Sequence, residues 1–142
     1  LGLGEPWFDG IEPAMARAMM SIPAARGVVF GRGFDVVKMT GIEHNDAWGG
    51  SPERPMLVGV KPDGVIAGLA TGSPIHVSVA FKPPSSIASE QHTLNLASGT
   101  IEPLVVGGRH DPVLGPRAVA VVEAMAKIVL SDLALRGGFL DA

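Results

Sequence analysis

The chain has 142 residues, 46% of them hydrophobic, a formal net charge of −3 and a mean hydropathy of +0.33, which suffices for one domain with one moderate core. With no cysteine there is no disulfide framework, thiolate metal site or cysteine nucleophile, and eleven scattered Lys and Arg residues do not form the basic surface that general nucleic-acid binding requires. Apolar runs are broken by Gly, Pro or charge before the roughly 18 residues that a membrane span needs, so the expectation is a soluble protein with no membrane partner and no nucleic-acid partner.

Nineteen Gly and twelve Pro alongside so many apolar residues predict a compact fold with frequent turns. The opening Leu1-Gly2-Leu3-Gly4 reads as the middle of a longer sequence. A helix is expected to start at Asp9-Gly10-Ile11-Glu12, which has the form of a capping box, and to bury Ile11, Met15, Ala18, Met19 and Ile22 on one face before Pro23 ends it. Gly27 to Phe30 and Phe34 to Met39, joined by Gly31-Arg32-Gly33, predict an antiparallel hairpin.

Thr40 to Pro55 lacks periodicity and reads as a long loop. Met56 to Val60 is expected to be a strand before a turn at Lys61-Pro62-Asp63-Gly64, followed by an apolar segment of small residues, Val65 to Ala70. Ile75 to Lys82 alternates: Ile75, Val77, Val79 and Phe81 share one face of a half-buried strand, and Lys82 points away from it. A loop from Pro83 to His92 leads to strands near Thr93–Leu96 and Leu104–Val106. The last element is a long helix with Pro116 in its first turn, a stripe of Val122, Met125, Val129 and Leu133, ion pairs Glu123–Lys127 and Asp132–Arg136, and a stop at Gly137-Gly138. The fold class is α+β, an antiparallel sheet flanked by helices, with residues 1–142 forming a single domain.

Three segments carry polar chemistry. In Gly107-Gly108-Arg109-His110-Asp111-Pro112, a cation, an imidazole and a carboxylate stand together ahead of a helix start whose free N–H groups favour anions. The segment suits a phosphate or carboxylate, or a solvated loop in which Asp111 stabilises the turn and Arg109 pairs with it, the reading that composition alone favours. Lys82-Pro83-Pro84-Ser85-Ser86 offers one cation and two hydroxyls for a phosphate, or forms a proline-rich turn with a snorkelling lysine. Glu43, His44 and Asp46 lack the His spacing of a helical zinc site, so no metal is expected. His76 and His92 are isolated imidazoles, and Ser21, Ser85 and Ser86 have no nucleophile-elbow context.

Taken in order, several blocks resemble the C-terminal part of the chorismate synthase family. They are Gly2-Leu3-Gly4-Glu5-Pro6-Trp7-Phe8-Asp9, Ala18 to Ala24, Gly31 to Phe34, Glu43-His44-Asn45-Asp46, Phe81 to Ile87, Gly108-Arg109-His110-Asp111-Pro112 and Arg117 to Met125. The resemblance implies one half of that family's β-α-β sandwich, in a cytoplasmic lyase, typically a homotetramer. That enzyme uses reduced FMN to eliminate phosphate from 5-enolpyruvylshikimate-3-phosphate, giving chorismate at the end of the shikimate pathway that feeds aromatic amino acid biosynthesis. Carried onto this chain, the family pattern makes Asp111, facing the flavin N5, and His110 the catalytic residues. It assigns flavin or phosphate binding to Arg109, Lys82, Pro83, Pro84, Ser85 and Ser86, with Ala24, Ala67 and Gly68 close to the ring. The implied partners are a small polyanionic substrate, the N-terminal half with its Gly-Glu-Ser-His-Gly block, and further copies of the chain in a homo-oligomer. Where the family has Asn-Asn-x-Gly-Gly, this chain has Val60-Lys61-Pro62-Asp63-Gly64; Pro84, Val113 and Ala120 replace the usual Thr, Cys and Pro. The alternative expectation is a catalytically inert relative serving as an anion-binding or assembly domain.

Overall fold

The structure is a computed structural model, and it describes residues 1–59 and 63–141. Its elements, in order, are α1 (Ile11–Met20), β1 (Ala25–Phe30), α2 (Gly41–His44), β2 (Ala47–Ser51), β3 (Arg54–Val58), β4 (Val65–Ile66), β5 (Leu69–Ala70), β6 (Val77–Phe81), β7 (Gln91–Asn95), β8 (Thr100–Leu104) and α3 (Gly115–Arg136), with 3-10 turns at Trp7–Asp9 and Gly33–Lys38. Every strand pairing is antiparallel, and the strands form four two-stranded units, β1–β6, β2–β3, β4–β5 and β7–β8. The α+β class expected from the sequence is the class observed.

The core lies where α1 and α3 pack on each other and on β1–β6. Met15, Met19, Ile22 and Ala25 are buried, with Val28, Phe30, Val77, Val79 and Phe81 from the strands and Val122, Met125 and Val129 from α3 closing over them. This is the expected α1 face meeting the expected α3 stripe. At about 25 cal/mol per Å² of apolar surface removed from water, such burial is what holds two helices and a two-stranded pair together.

The start of α1 differs from the capping box in its chemistry. The N-cap is Gly10, with no side-chain cap, and the free Ile11 N–H donates to the Gly68 carbonyl at 3.0 Å. A tertiary contact thus satisfies the donor that Asp9 was expected to serve, and Asp9 instead faces Arg17 at 3.8 Å. The approach is close: a Cβ on Gly10 would lie 2.9 Å from the Gly68 Cα, and one on Gly68 would collide with the Glu5 carbonyl oxygen.

The predicted hairpin between Gly27–Phe30 and Phe34–Met39 does not form. β1 pairs with β6, matching Val28 to Val79 and Phe30 to Val77, and Gly31 N–H extends the ladder to the His76 carbonyl at 2.9 Å. The alternating side chains of β6 offer β1 an apolar surface that packs on both helices, whereas residues 33–38 coil into a 3-10 turn with Phe34 and Val37 exposed. The expected loop of residues 40–55 also contains more order, namely α2 with a true capping box between Thr40 and Glu43, and the β2–β3 hairpin. Glycines at positions 49 and 50 and a proline at 55 hid that hairpin. Of the predicted strand Met56–Val60, residues 56–58 belong to β3. Val60 and the first half of the turn at residues 61–64 lie outside the described residues. The predicted strands near 93–96 and 104–106 become β7 and β8, shifted toward their N-termini.

α3 matches expectation closely. Leu133 is buried, Glu123 and Lys127 meet at 2.6 Å, Asp132 and Arg136 meet at 3.1 Å, and Gly137 closes the helix with its N–H on the Leu133 carbonyl at 2.9 Å. Among the described residues no helix is long and apolar enough to cross a membrane.

Candidate functional site

β6 delivers the lysine turn. Its alternation leaves Phe81 half-buried and Lys82 exposed, and the Lys82 N–H donates to the Ala24 carbonyl at 3.0 Å. Two of the residues assigned to flavin binding are therefore joined directly. Ala24 has φ +70°, a left-handed conformation that costs an L-residue about 1–2 kcal/mol and that is held here by this strand-end contact. Lys82, Ser85 and Ser86 are exposed, and among the described residues their side chains make no hydrogen bond to the protein.

The second cluster precedes α3. His110 Nε2 lies 3.0 Å from the Val106 carbonyl oxygen. Asp111 stands between two guanidinium groups: Arg117 Nη1 donates to Oδ2 at 3.0 Å, and Arg109 Nη2 is 3.6 Å from Oδ1. The pairing of Arg109 with Asp111 that the sequence allowed is thus present, and Arg117, named in the sequence only as the start of a family block and given no role, makes the shorter contact. The signal lay in its position: side chains in the first turn of a helix lean toward the N-terminus and so over the loop that leads in.

A cavity of about 370 Å³ lies between Val79 and Phe81 of β6 and Gly115, Ala118, Val119, Val122 and Glu123 of α3. Its walls are thus residues just upstream of the lysine turn and just downstream of the Arg-His-Asp segment. Ala67 and Gly68 sit elsewhere, in the β4–β5 turn, lining a separate cavity of about 460 Å³ with Pro6, Trp7, Glu12 and Pro13. The close approach of Gly68 to Glu5 and Gly10 accounts for glycine at that position without a ligand. Glu12 on this cavity is pushed above the ordinary carboxyl value of 4.5, first by burial and then by the negative charge of Asp63.

The remaining polar cluster is structural in its contacts. Glu43 accepts hydrogen bonds from Thr40 N–H at 2.7 Å and Thr40 Oγ1 at 2.8 Å, which lower its pKa, and His44 Nε2 meets Asp63 Oδ2 at 3.3 Å. Asp46, which the sequence grouped with them, lines the same cavity of about 290 Å³ as His44 and Asp63. Among the described residues no three His, Asp or Glu side chains converge in a way that could hold a metal ion.

Comparison with known proteins decides the family. The family model described as "Chorismate synthase" matches residues 1–135. The chain belongs to the chorismate synthase family. It is 44% identical over 140 residues to a chorismate synthase of Dehalococcoides mccartyi, covering 99% of this chain and 38% of that protein. It is 47% identical over 135 residues to one of Aeropyrum pernix, covering 94% of this chain and 35% of that protein. A solved structure titled "Crystal Structure of Chorismate Synthase" superposes with a TM-score of 0.70 at 31% identity, over 96% of this chain and 34% of that one. The chain thus spans less than two fifths of the length of these chorismate synthases, and its small antiparallel sheets and helices follow their fold.

Proposed function

We propose that this chain is the C-terminal portion of a chorismate synthase, a lyase that removes phosphate from 5-enolpyruvylshikimate-3-phosphate with reduced FMN and without net redox change. The observation that carries the reading is the family match over residues 1–135, supported by chain order at the β6–α3 cavity: Lys82, Ser85 and Ser86 follow the β6 residues that line it, and Arg109, His110 and Asp111 precede the α3 residues that line it.

The residues present fit the flavin's chemistry. Lys82, Ser85 and Ser86 are exposed and unengaged among the described residues, as a phosphate ligand requires, and a Cβ at Gly107 or Gly108 would meet nothing within 4 Å, leaving the backbone open to a flat group. Lys82, Ser85, Ser86 and Arg109 would hold it, with Pro83 and Pro84 stiffening the turn and Ala24 anchoring it. Ala67 and Gly68 enter the assignment through the family resemblance alone. Reduced FMN, when bound, supplies electron density to the allylic system while phosphate departs.

The reaction breaks one C–O and one C–H bond and forms one C=C bond; phosphate leaves with the C–O electron pair, and a base takes the proton. Asp111 is suited to that base. Its Oδ2 accepts from Arg117 at 3.0 Å, which leaves Oδ1 to take the proton, while Arg109, more distant at 3.6 Å and exposed, is placed to meet an anionic group. His110 can only donate Nε2–H to the Val106 carbonyl, so in its neutral form Nδ1 is its free acceptor. The polyanionic substrate, the N-terminal half and further copies of the chain are the partners this reading requires, in the cytoplasm.

In the complete enzyme, Asp111→Asn is expected to retain binding of reduced FMN and to lose turnover by about a hundredfold or more. Unchanged turnover would remove Asp111 from the mechanism. The second reading is an inert relative used for assembly, which the backbone packing against Gly68 and the ion-paired state of Asp111 both accommodate. Titration of reduced FMN, with and without substrate, separates the two, since no saturable binding in the complete protein supports the inert domain.

A further inference from the structure

We propose that Arg117 is the positioning residue for Asp111, and that it, rather than Arg109, takes up the Asp111 charge, leaving Arg109 to meet the anionic ligand; this rests on the role given to Asp111 above. The two arginines differ in distance and in support. Arg117 Nη1 donates to Asp111 Oδ2 at 3.0 Å, whereas Arg109 Nη2 is 3.6 Å from Oδ1, too far for a good hydrogen bond. Arg117 is carried by the first turn of α3, its N–H bonded to the Leu114 carbonyl at 3.1 Å. Arg109 follows two glycines on a segment without regular structure, and its side chain is 79% exposed.

The consequence is a division of labour between the two carboxylate oxygens. Oδ2 is held by a charge-assisted hydrogen bond from a rigid element, which fixes the carboxylate and leaves Oδ1 with only the longer 3.6 Å approach of Arg109. The loop is pinned a second time by His110 on the Val106 carbonyl. Because Arg117 is itself 65% exposed, its pair with Asp111 contributes little to global stability. A loss of function on its removal therefore reports positioning and not unfolding.

In the complete enzyme, Arg117→Gln is expected to lower kcat by about ten- to a hundredfold with KM for the phosphate substrate changed by less than about twofold. Arg117→Lys is expected to recover part of that loss, and Arg109→Gln to act mainly on KM. An unchanged kcat in Arg117→Gln overturns the proposal. A measurement independent of activity uses nitrogen-15 NMR of the arginine guanidinium groups. Slowed exchange of the Arg117 Nη protons is expected in the wild type and is expected to vanish in Asp111→Asn, while the Arg109 signals stay alike. Identical Arg117 signals in both proteins also overturn the proposal. If Asp111→Asn instead keeps full turnover, the catalytic reading of Asp111 fails by itself, and the NMR comparison still decides whether Arg117 holds that carboxylate.

Discussion

Glu12 shows how one side chain is governed by competing fields. A carboxylate in the first turn of a helix is normally favoured by the macrodipole, yet partial burial and the nearby charge of Asp63 prevail and raise its pKa above 4.5. The folded protein therefore binds this proton more readily than the unfolded chain does. The stability that comes with the raised value is fully present below the unfolded carboxyl pKa and is lost as pH rises through the folded one. Glu12→Gln is thus expected to raise Tm at neutral pH, with the gain over wild type fading as pH falls toward 4.5. A gain that did not vary with pH would contradict this electrostatic account. Asp111 is the other informative residue. Its identity was legible as part of a polar tripeptide, but which arginine holds it depends on α3 aiming Arg117 back over the loop, six positions away in sequence.

At the scale of elements, order that is local is legible in the sequence. The amphipathic stripes of α1 and α3, the i,i+4 ion pairs and the alternation of β6 follow from spacings that a helix or strand maps directly onto a face. Pairing with a distant partner is not. β1 had no local sign that β6, some fifty residues on, would outcompete Val36 and Val37. The β4–β5 turn shows a local mismatch between residue and backbone. Ala67 at φ +52° and Gly68 at φ +89° form a two-residue turn with both central residues left-handed, a geometry that favours Asn-Gly. Ala67→Asn is accordingly expected to stabilise the protein by about 0.5–1 kcal/mol, read as an increase in the denaturation midpoint at constant m-value. A decrease would mean that the Ala67 methyl group contributes more by packing than the turn loses by strain.

At the scale of the molecule, the apolar surface is extensive. Trp7, Phe8, Phe34, Ile42 and Leu96 are each more than 80% exposed, and α3 presents Val119, Val121 and Ile128 away from the core. The β7–β8 hairpin has Leu94 and Ile101 side by side on an open face, and a lone two-stranded unit is marginal in water. The chain covers 38% of the length of the Dehalococcoides mccartyi relative, and under the proposed function this apolar surface would meet the remaining portion and further copies. In isolation it is expected to self-associate, giving a concentration-dependent mass above the 14.6 kDa monomer by light scattering. A constant monomer mass at high concentration would weigh against that oligomeric reading.

The residues in their order sufficed for the α+β class, for both long helices and their buried faces, and for the family, because helix and strand periodicities and ordered motif blocks are properties of the chain itself. Only the folded molecule decided that β1 joins β6, that Gly68 and not Asp9 serves the start of α1, and that Arg117 grips Asp111. Each of these is a contact between segments far apart or on different elements. Such contacts are selected by the competition among all available surfaces for burial and hydrogen-bond partners, a competition no single stretch of sequence contains.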